Sequence, residues 1–426
     1  MNEPEHGVTS TPTNNMPAFA DEAVFRAFAE ERSWEPGWLA EYRRDAWKRY
    51  RRQNQPKGKD ERWRFSPRAR LSLSSFQLSN GTDAGEATTL DVNGQDLAAL
   101  GVIFGPLDQV LLSQPAALED LADFSGPGLG AESAQLLTQA YAGHGIVLRV
   151  PKNVTLTRPI FARYFAPAHG EIRFQRTLLI LEEGASATLV ESFESKSVTD
   201  ISVVCSTASV LAKGNARAER ILSQNLNLSS SFYQLDANRA ERNAGVRSLS
   251  LHLGSAQSRF ENLAVVAGEG AEVELLGVTA GEKEQLFDQR TRQLHLAPHG
   301  RSDLLYKNAL MDEAKSIFSG LIKVEEPAQQ TDAYQTNRNL LLSPKAEADS
   351  LPGLEILANE VKCSHGATTG EIDSDQLFYL LSRGIPKATA EQLLVFGFLR
   401  EVLQRIGDDS VTEFLHGPLE DKFARR

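Results

Sequence analysis

Cysteine is almost absent: the 426 residues contain two, Cys205 and Cys363. Two thiols cannot build a disulfide framework, so the expected setting is a reducing cytoplasm with both thiols free. No C-x-x-C pair occurs, so a closed zinc site or a cysteine-held cluster cannot come from this chain alone. Long apolar runs are missing too. None approaches the ~18 residues of a membrane-spanning helix. The first residues, MNEPEHGVTSTPTNN, lack the basic and apolar stretches of a targeting signal, and residues 1–18 read as a disordered tail. Positive charge is in deficit: 45 Lys and Arg against 56 Asp and Glu leave a net of −11. That is the wrong sign for a duplex nucleic-acid binder. Catalytic signatures are also wanting. There is no G-x-x-x-x-G-K-[ST], no H-E-x-x-H and no G-x-S-x-G. Gly126-Pro-Gly-Leu-Gly-Ala131 matches a loose G-x-G-x-x-A, but no strand precedes it and Pro127 removes a backbone N–H. Dinucleotide binding is therefore not expected there.

What is present is an ordinary globular balance, 41% hydrophobic and 24% charged, in three regions of different period. Residues 19–143 read as helical. Phe25 and Phe28 share a face. After the Pro36–Gly37 break, Leu39, Tyr42, Ala46 and Tyr50 share another, with Arg43, Arg44, Lys48 and Arg49 between them. From Arg43 to Arg70 there are twelve Lys or Arg against three Asp or Glu. The simplest reading is a solvated helix face and loop; an anionic partner such as RNA is the alternative. Asp91-Val-Asn-Gly94 marks a turn, and Ala131–Tyr141 reads as a helix.

Residues 144–370 alternate with period two. Leu249, Leu251 and Leu253 alternate with Ser248, Ser250 and His252, Val273 and Leu275 with Glu272 and Glu274, and Leu294 and Leu296 with Gln293 and His295. This predicts strands with one apolar and one polar face, placing His252 and His295 on polar faces. Turn signals at Gly184, Gly214, Gly270 and Gly300 suggest a loose repeat of about 30 residues, with one turn missing between the second and third. A β-solenoid and a large sandwich both fit that pattern. Residues 371–426 return to helix. Asp373 and Ser374 cap a short helix, and Thr389–Gln392 fits a capping box. A stripe of Phe396, Leu399, Leu403 and Ile406 either packs on the body of the chain or forms a docking surface.

One pair stands out chemically. Cys363 and His365, in Lys362-Cys-Ser-His-Gly366, lie on one face of an extended strand, about 7 Å apart along it. Thiolate and imidazole suit iron or zinc, but two ligands are too few, so a second chain would have to complete the site. A Cys–His nucleophilic pair is awkward at this spacing, and spacing alone leaves chance proximity as the simpler reading. Cys205 reads as a buried small hydrophobe.

The segment GLEILANEVKCSHGATTGEIDSDQLFYLLSRGIPKATAEQLLVFGFLREVL, Gly353–Leu403, closely resembles the C-terminal signature of the SufB/SufD family. These are scaffold components of the SUF iron–sulfur cluster assembly machinery. The KCSHGAT core and the chain length resemble the SufD branch. Pro36-Gly-Trp-Leu39, Arg43–Tyr50, Asp60–Phe65 and Gly145–Asn153 add support along most of the chain, although Phe65-Ser-Pro departs from the branch's usual residues.

The resemblance implies a mainly β fold: a right-handed parallel β-helix over residues 144–370, between helical regions 19–143 and 371–426. It implies a non-ATPase scaffold subunit whose partners are a SufB-like paralogue, a SufC-like ABC ATPase and a sulfur-transfer protein; a homodimer is open to the isolated chain. It implies neither a nucleic-acid nor a membrane partner. His365, with Cys363 beside it, would contribute to a transient iron–sulfur cluster site shared with the paralogue. Thr389, Leu393, Phe396, Leu399, Arg400 and Leu403 would face the ATPase. The rivals are a β-helix enzyme acting on polysaccharide and an RNA-associated scaffold using Arg43–Arg70.

Overall fold

The computed structural model describes residues 18–53, 60–66, 73, 75–79, 88–116, 118 and 128–424. Apart from Ala18, which opens a short turn of 3₁₀ helix, the expected tail lies outside these residues. The strand-rich region forms a parallel β-solenoid of two sheets. One sheet runs, edge to edge, through Glu347–Ile356, Lys315–Val324, Leu286–His295, Gln257–Val266, Ser231–Ala240, Val203–Ala212, Glu171–Leu181, His144–Val150 and Ile103–Pro106. The other runs through Val361–Glu371, Thr331–Leu341, Arg301–Leu310, Glu272–Gly281, Gly245–His252, Arg217–Asn225, Ser186–Glu194, Ile160–Phe165 and Thr88–Asp91. The chain crosses from sheet to sheet at each turn, so each inner strand of the solenoid pairs with the strands one full coil before and after it.

The turns explain the repeat and its gap. Gly184 and Gly270 take positive φ (71° and 67°), and His299 does so beside Gly300 (58°). The missing turn is at Arg242–Asn243, where Asn243 takes φ 55°. Asparagine tolerates this left-handed conformation, so the coil needs no glycine to close. Counting glycines therefore skipped a turn that the chain makes.

The alternation holds, but on two strands, Gly245–His252 and Leu286–His295, the expected sense is reversed. Val273 and Leu275 point into the solenoid, with Glu272 and Glu274 outside, as the pattern predicts. On Gly245–His252 the inward residues are Val246, Ser248, Ser250 and His252. Leu249, Leu251 and Leu253 point outward, into a second core with the C-terminal helices. His252 and His295 thus lie inside, 2% and 0% exposed, and not on solvated faces. Burial lowers their pKa values to about 3 and about 4. A strand covered by helices needs its apolar residues outside, which pushes polar ones between the sheets.

Both outer walls carry helices. Glu22–Glu31, Gly37–Arg52 and Glu132–Tyr141 pack Phe25, Phe28, Trp47 and Tyr141 against Ile172, Phe174, Cys205 and Tyr233. Cys205 is fully buried there, which raises its thiol pKa far beyond the ordinary range. Burying each large aromatic in such a cluster contributes about 1.5–3 kcal/mol.

Two local expectations are corrected. Arg43 is not on a solvated face: it is 4% exposed, donates to both Glu35 carboxylate oxygens at 2.7 and 2.8 Å, and donates to the carbonyls of Ala140 and Ala142. Arg44, Lys48 and Arg49 are exposed as expected. Thr389 caps nothing: the helix Lys387–Leu403 starts earlier, with Pro386 at its N-cap. Proline's fixed φ and absent N–H suit a helix start, so the chain turns helical before reaching the hydroxyl.

Candidate functional site

The two ends of the solenoid differ. At its N-terminal end each sheet finishes with an antiparallel strand: Ile103–Pro106 on His144–Val150, and Thr88–Asp91 on Ile160–Phe165. At the C-terminal end Glu347–Ile356 pairs only with Lys315–Val324, and Val361–Glu371 only with Thr331–Leu341. Among the described residues nothing pairs with their outer edges. Two adjacent strands thus present rows of unpaired N–H and C=O groups, which is a template for another strand. Tyr334, Leu354, Ile356 and Leu357 expose apolar surface nearby, Leu357 by 52%.

Cys363 and His365 lie on that last strand, in successive positions of its inward row. Cys363 is in register with Ala333, and His365 with Gln335. The partners one coil back are 0% and 1% exposed, whereas His365 is exposed, because no further coil follows among the described residues. Cys363 is half-buried against Ile322, Val324, Ala333 and Ala358. Burial raises its thiol pKa, the nearby Asp332 charge adds to this, and a hydrogen bond with the Ala333 backbone opposes it. The thiol is therefore protonated at neutral pH and must lose its proton to bind a metal. No group of three or more His, Cys, Asp or Glu among the described residues could hold a metal ion. Cys363 and His365 together offer two donors, too few for a metal site built from the described residues of this chain.

The C-terminal helices divide the expected docking residues. Leu399 and Leu403, 0% and 1% exposed, are taken up by the wall formed by Leu249, Leu276 and Leu305. Phe396 is half-buried against the same core. Thr389, Leu393 and Arg400 face solvent, Leu393 by 50%. Three cations fix the helices to the solenoid. Lys307 Nζ donates to the Phe398 carbonyl and Glu401, Arg405 to Glu274 and Asp303, and Lys422 to the Leu253 carbonyl and Glu282. The short helix Ser374–Ser382 buries no residue. Asp373 caps it, accepting from the N–H groups of Asp375 and Gln376. Phe378, Tyr379 and Leu381 remain 71%, 57% and 39% exposed, and Leu393 is exposed on the next helix, against which this one packs.

The basic segment has a structural employment. Arg62 pairs with Asp60 and Glu132, and Arg43 with Glu35. Lys57, Lys59, Arg68 and Arg70 lie outside the described residues.

Two buried ionic clusters escaped sequence reasoning. Arg220 donates to Glu191 at 2.6 Å and Asp236 at 2.8 Å, all three at most 1% exposed. Arg259 bridges Glu261 and Asp288, lies 4.3 Å from the Trp63 ring centroid, and donates to the carbonyls of Arg62 and Leu129. The loop of the loose G-x-G-x-x-A pattern does cradle an anion, but it is the Glu261 carboxylate, which accepts from the N–H groups of Leu129 and Ala131. Arg259 and Glu261 are two positions apart, but Arg220 with Glu191 and Asp236, and Arg259 with Asp288, are 16 to 29 positions apart and adjacent only once coiled. Position relative to the turns was the available signal. The four carboxylates of these clusters are at most 2% exposed.

Known proteins resemble this chain over most of its length. The family model described as SUF system FeS cluster assembly, SufBD core domain, matches residues 164–398. The iron–sulfur cluster assembly protein SufD of Bacillus subtilis is 28% identical over 428 residues, covering 94% of this chain and 98% of its own. That of Escherichia coli is 30% identical over 378 residues, 84% and 87% of the two chains. A SufBD family protein of Synechocystis is 28% identical over 82% of this chain and 84% of its own. A parallel solenoid with helices on both walls, carrying a core-domain match over more than half its length, belongs to the SufBD family of iron–sulfur cluster assembly proteins.

Proposed function

We propose that this chain is a scaffold subunit, without ATPase activity of its own, on which a nascent iron–sulfur cluster is built as cargo. The observation that carries this is the coincidence of two open strand edges with Cys363 and His365 on the last strand. A SufB-like paralogue adding its own edge strands would cover the unpaired backbone and bring its ligands against the pair. His365 is exposed and ready to coordinate, whereas Cys363 must first give up its proton. Sharing the site makes assembly of the two chains a condition for holding the cargo. In the isolated chain the same edges could pair with a second copy.

The exposed patch of Phe378, Tyr379, Leu381 and Leu393, with Thr389 and Arg400 beside it, is the docking surface for a SufC-like ATPase. The helix Lys387–Leu403 is anchored to the wall through Lys307, so movement of a docked ATPase is passed to the solenoid and toward its open end. A sulfur-transfer protein supplies sulfide, and the finished cluster passes to a carrier in the cytoplasm. No helix among the described residues is long and apolar enough to cross a membrane.

Co-expression with the paralogue and the ATPase tests this reading. Leu393→Asp is expected to weaken ATPase capture while circular dichroism stays unchanged. Capture at wild-type strength would remove the docking surface proposed here.

A further inference from the structure

The interior of the solenoid is unusually polar, and its polar atoms do not all find protein partners. Around Arg220, the Asp236 Oδ2 atom accepts from Arg220 and Gln234, and Glu191 accepts from Arg220, Tyr164 and Thr177. Yet Asp236 Oδ1, Gln234 Oε1, Arg220 Nη2, Ser206 Oγ and Ser248 Oγ have none. Each of these residues is at most 2% exposed. They come from both sheets and share the inward parity of Val204, Phe232, Ala218 and Val246. Nearer the open end the pattern recurs. Thr291 Oγ1, Gln293 Oε1, Gln335 Oε1 and Asn337 Nδ2 are unpartnered, in residues at most 2% exposed.

Leaving a buried polar atom unpaired costs about 1–3 kcal/mol. Several in one cluster would consume a whole domain's stability of roughly 5–15 kcal/mol. The chemistry of the unpaired atoms identifies what satisfies them. In each group donors and acceptors are mixed: a guanidinium N–H, a carboxylate oxygen and an amide oxygen in the first, and an amide N–H and two amide oxygens in the second. A cation would be opposed by Arg220 and an anion by Glu191 and Asp236. Only a small neutral molecule that both donates and accepts fits every atom. Backbone room is made at Gly320, where a Cβ would stand 2.5 Å from Gln335 Oε1, so that amide reaches across to the opposite sheet.

We infer that the solenoid encloses two clusters of ordered water, one bridging Arg220, Gln234 and Asp236, the other bridging Gln293, Gln335 and Asn337. The second lies one strand behind His365, since Gln335 and His365 are in register. Hydrogen-bonded amides continue this polar interior: Asn308 joins Gln289 to Asn339, and Asn339 reaches Thr369 on the last strand.

The test uses the full wild-type chain and needs no variant to fold. A crystal structure that resolves ordered solvent is expected to show peaks within hydrogen-bond distance of Asp236 Oδ1 and Arg220 Nη2, and of Gln335 Oε1 and Asn337 Nδ2. Oxygen-17 relaxation dispersion in solution should report long-lived internal water, reduced in Ser206→Val with the same circular dichroism. Direct protein–protein pairing of these atoms with no solvent between them overturns the inference, as does a dispersion signal unchanged by Ser206→Val. Neither readout depends on cluster assembly, so failure here and failure of the scaffold reading are distinguishable.

Discussion

Replacing Arg220 by methionine removes the cation that bridges Glu191 and Asp236 while keeping an unbranched side chain. Both carboxylates are 0% exposed, and each accepts a charge-assisted bond from this guanidinium. Breaking a buried ion pair by deleting one partner costs about 3–5 kcal/mol, because a charge is left without compensation. Here two are left, so the loss falls at the upper end of that range. The pH dependence is more diagnostic. Burial already raises the pKa of Asp236 in the wild type, with Arg220 opposing that rise. Without Arg220 the folded-state value of Asp236 moves further above its unfolded value. A carboxyl shifted upward favours folding below its unfolded pKa, and that contribution is lost as pH rises through the folded pKa. Arg220→Met should therefore be penalised most at pH 8 and progressively less toward pH 5. Urea unfolding followed by far-ultraviolet circular dichroism at both pH values measures this. A loss under about 1 kcal/mol, or a penalty that grows on acidification, would refute the reasoning.

The buried histidines predict the opposite trend in the parent chain. His252, with its pKa lowered to about 3, stays neutral in the fold but takes a proton when unfolded. Stability is thus full above the unfolded value of ~6.5 and falls by about 1.4 kcal/mol per pH unit below it. His252→Phe, which can keep the stack on Phe260, should flatten the decline between pH 6 and 4; an unchanged slope would count against it. Leu399→Asp, at a fully buried contact with the wall, should cost about 3 kcal/mol or more and expose the C-terminal helices to hydrogen exchange. Wild-type exchange rates there would show that the packing is not needed. Arg259→Met should raise exchange in residues 60–66 and 128–131, which that side chain ties down; protection equal to wild type would contradict this.

Much of the architecture is legible from residue pattern. Alternation announced strands, positive-φ glycines marked turns, and the Asp373 cap and the helices around Phe25 and Leu39 stand where their spacing puts them. What local pattern could not show was which face turns inward. That depends on the distant C-terminal helices, whose apolar residues share one core with Leu249, Leu251 and Leu253, and no window of the strand contains that information. Arg43 looked solvated because its partner Glu35 and the carbonyls of Ala140 and Ala142 are brought to it only by the fold. The Cys363–His365 pair was visible from spacing, and its strand geometry is as expected. Its position at an uncovered edge needed the strand order, because only the topology distinguishes a last strand from an inner one.

The central claim is that His365 holds a nascent cluster jointly with a second chain. The most direct measurement is iron and sulfide content after anaerobic reconstitution of the complex with a SufB-like paralogue and a SufC-like ATPase, comparing wild type with His365→Ala. The variant removes an exposed side chain, so the complex should assemble at the same stoichiometry and stability while its cluster content falls severalfold. A His365→Ala complex carrying the full wild-type load would contradict the claim.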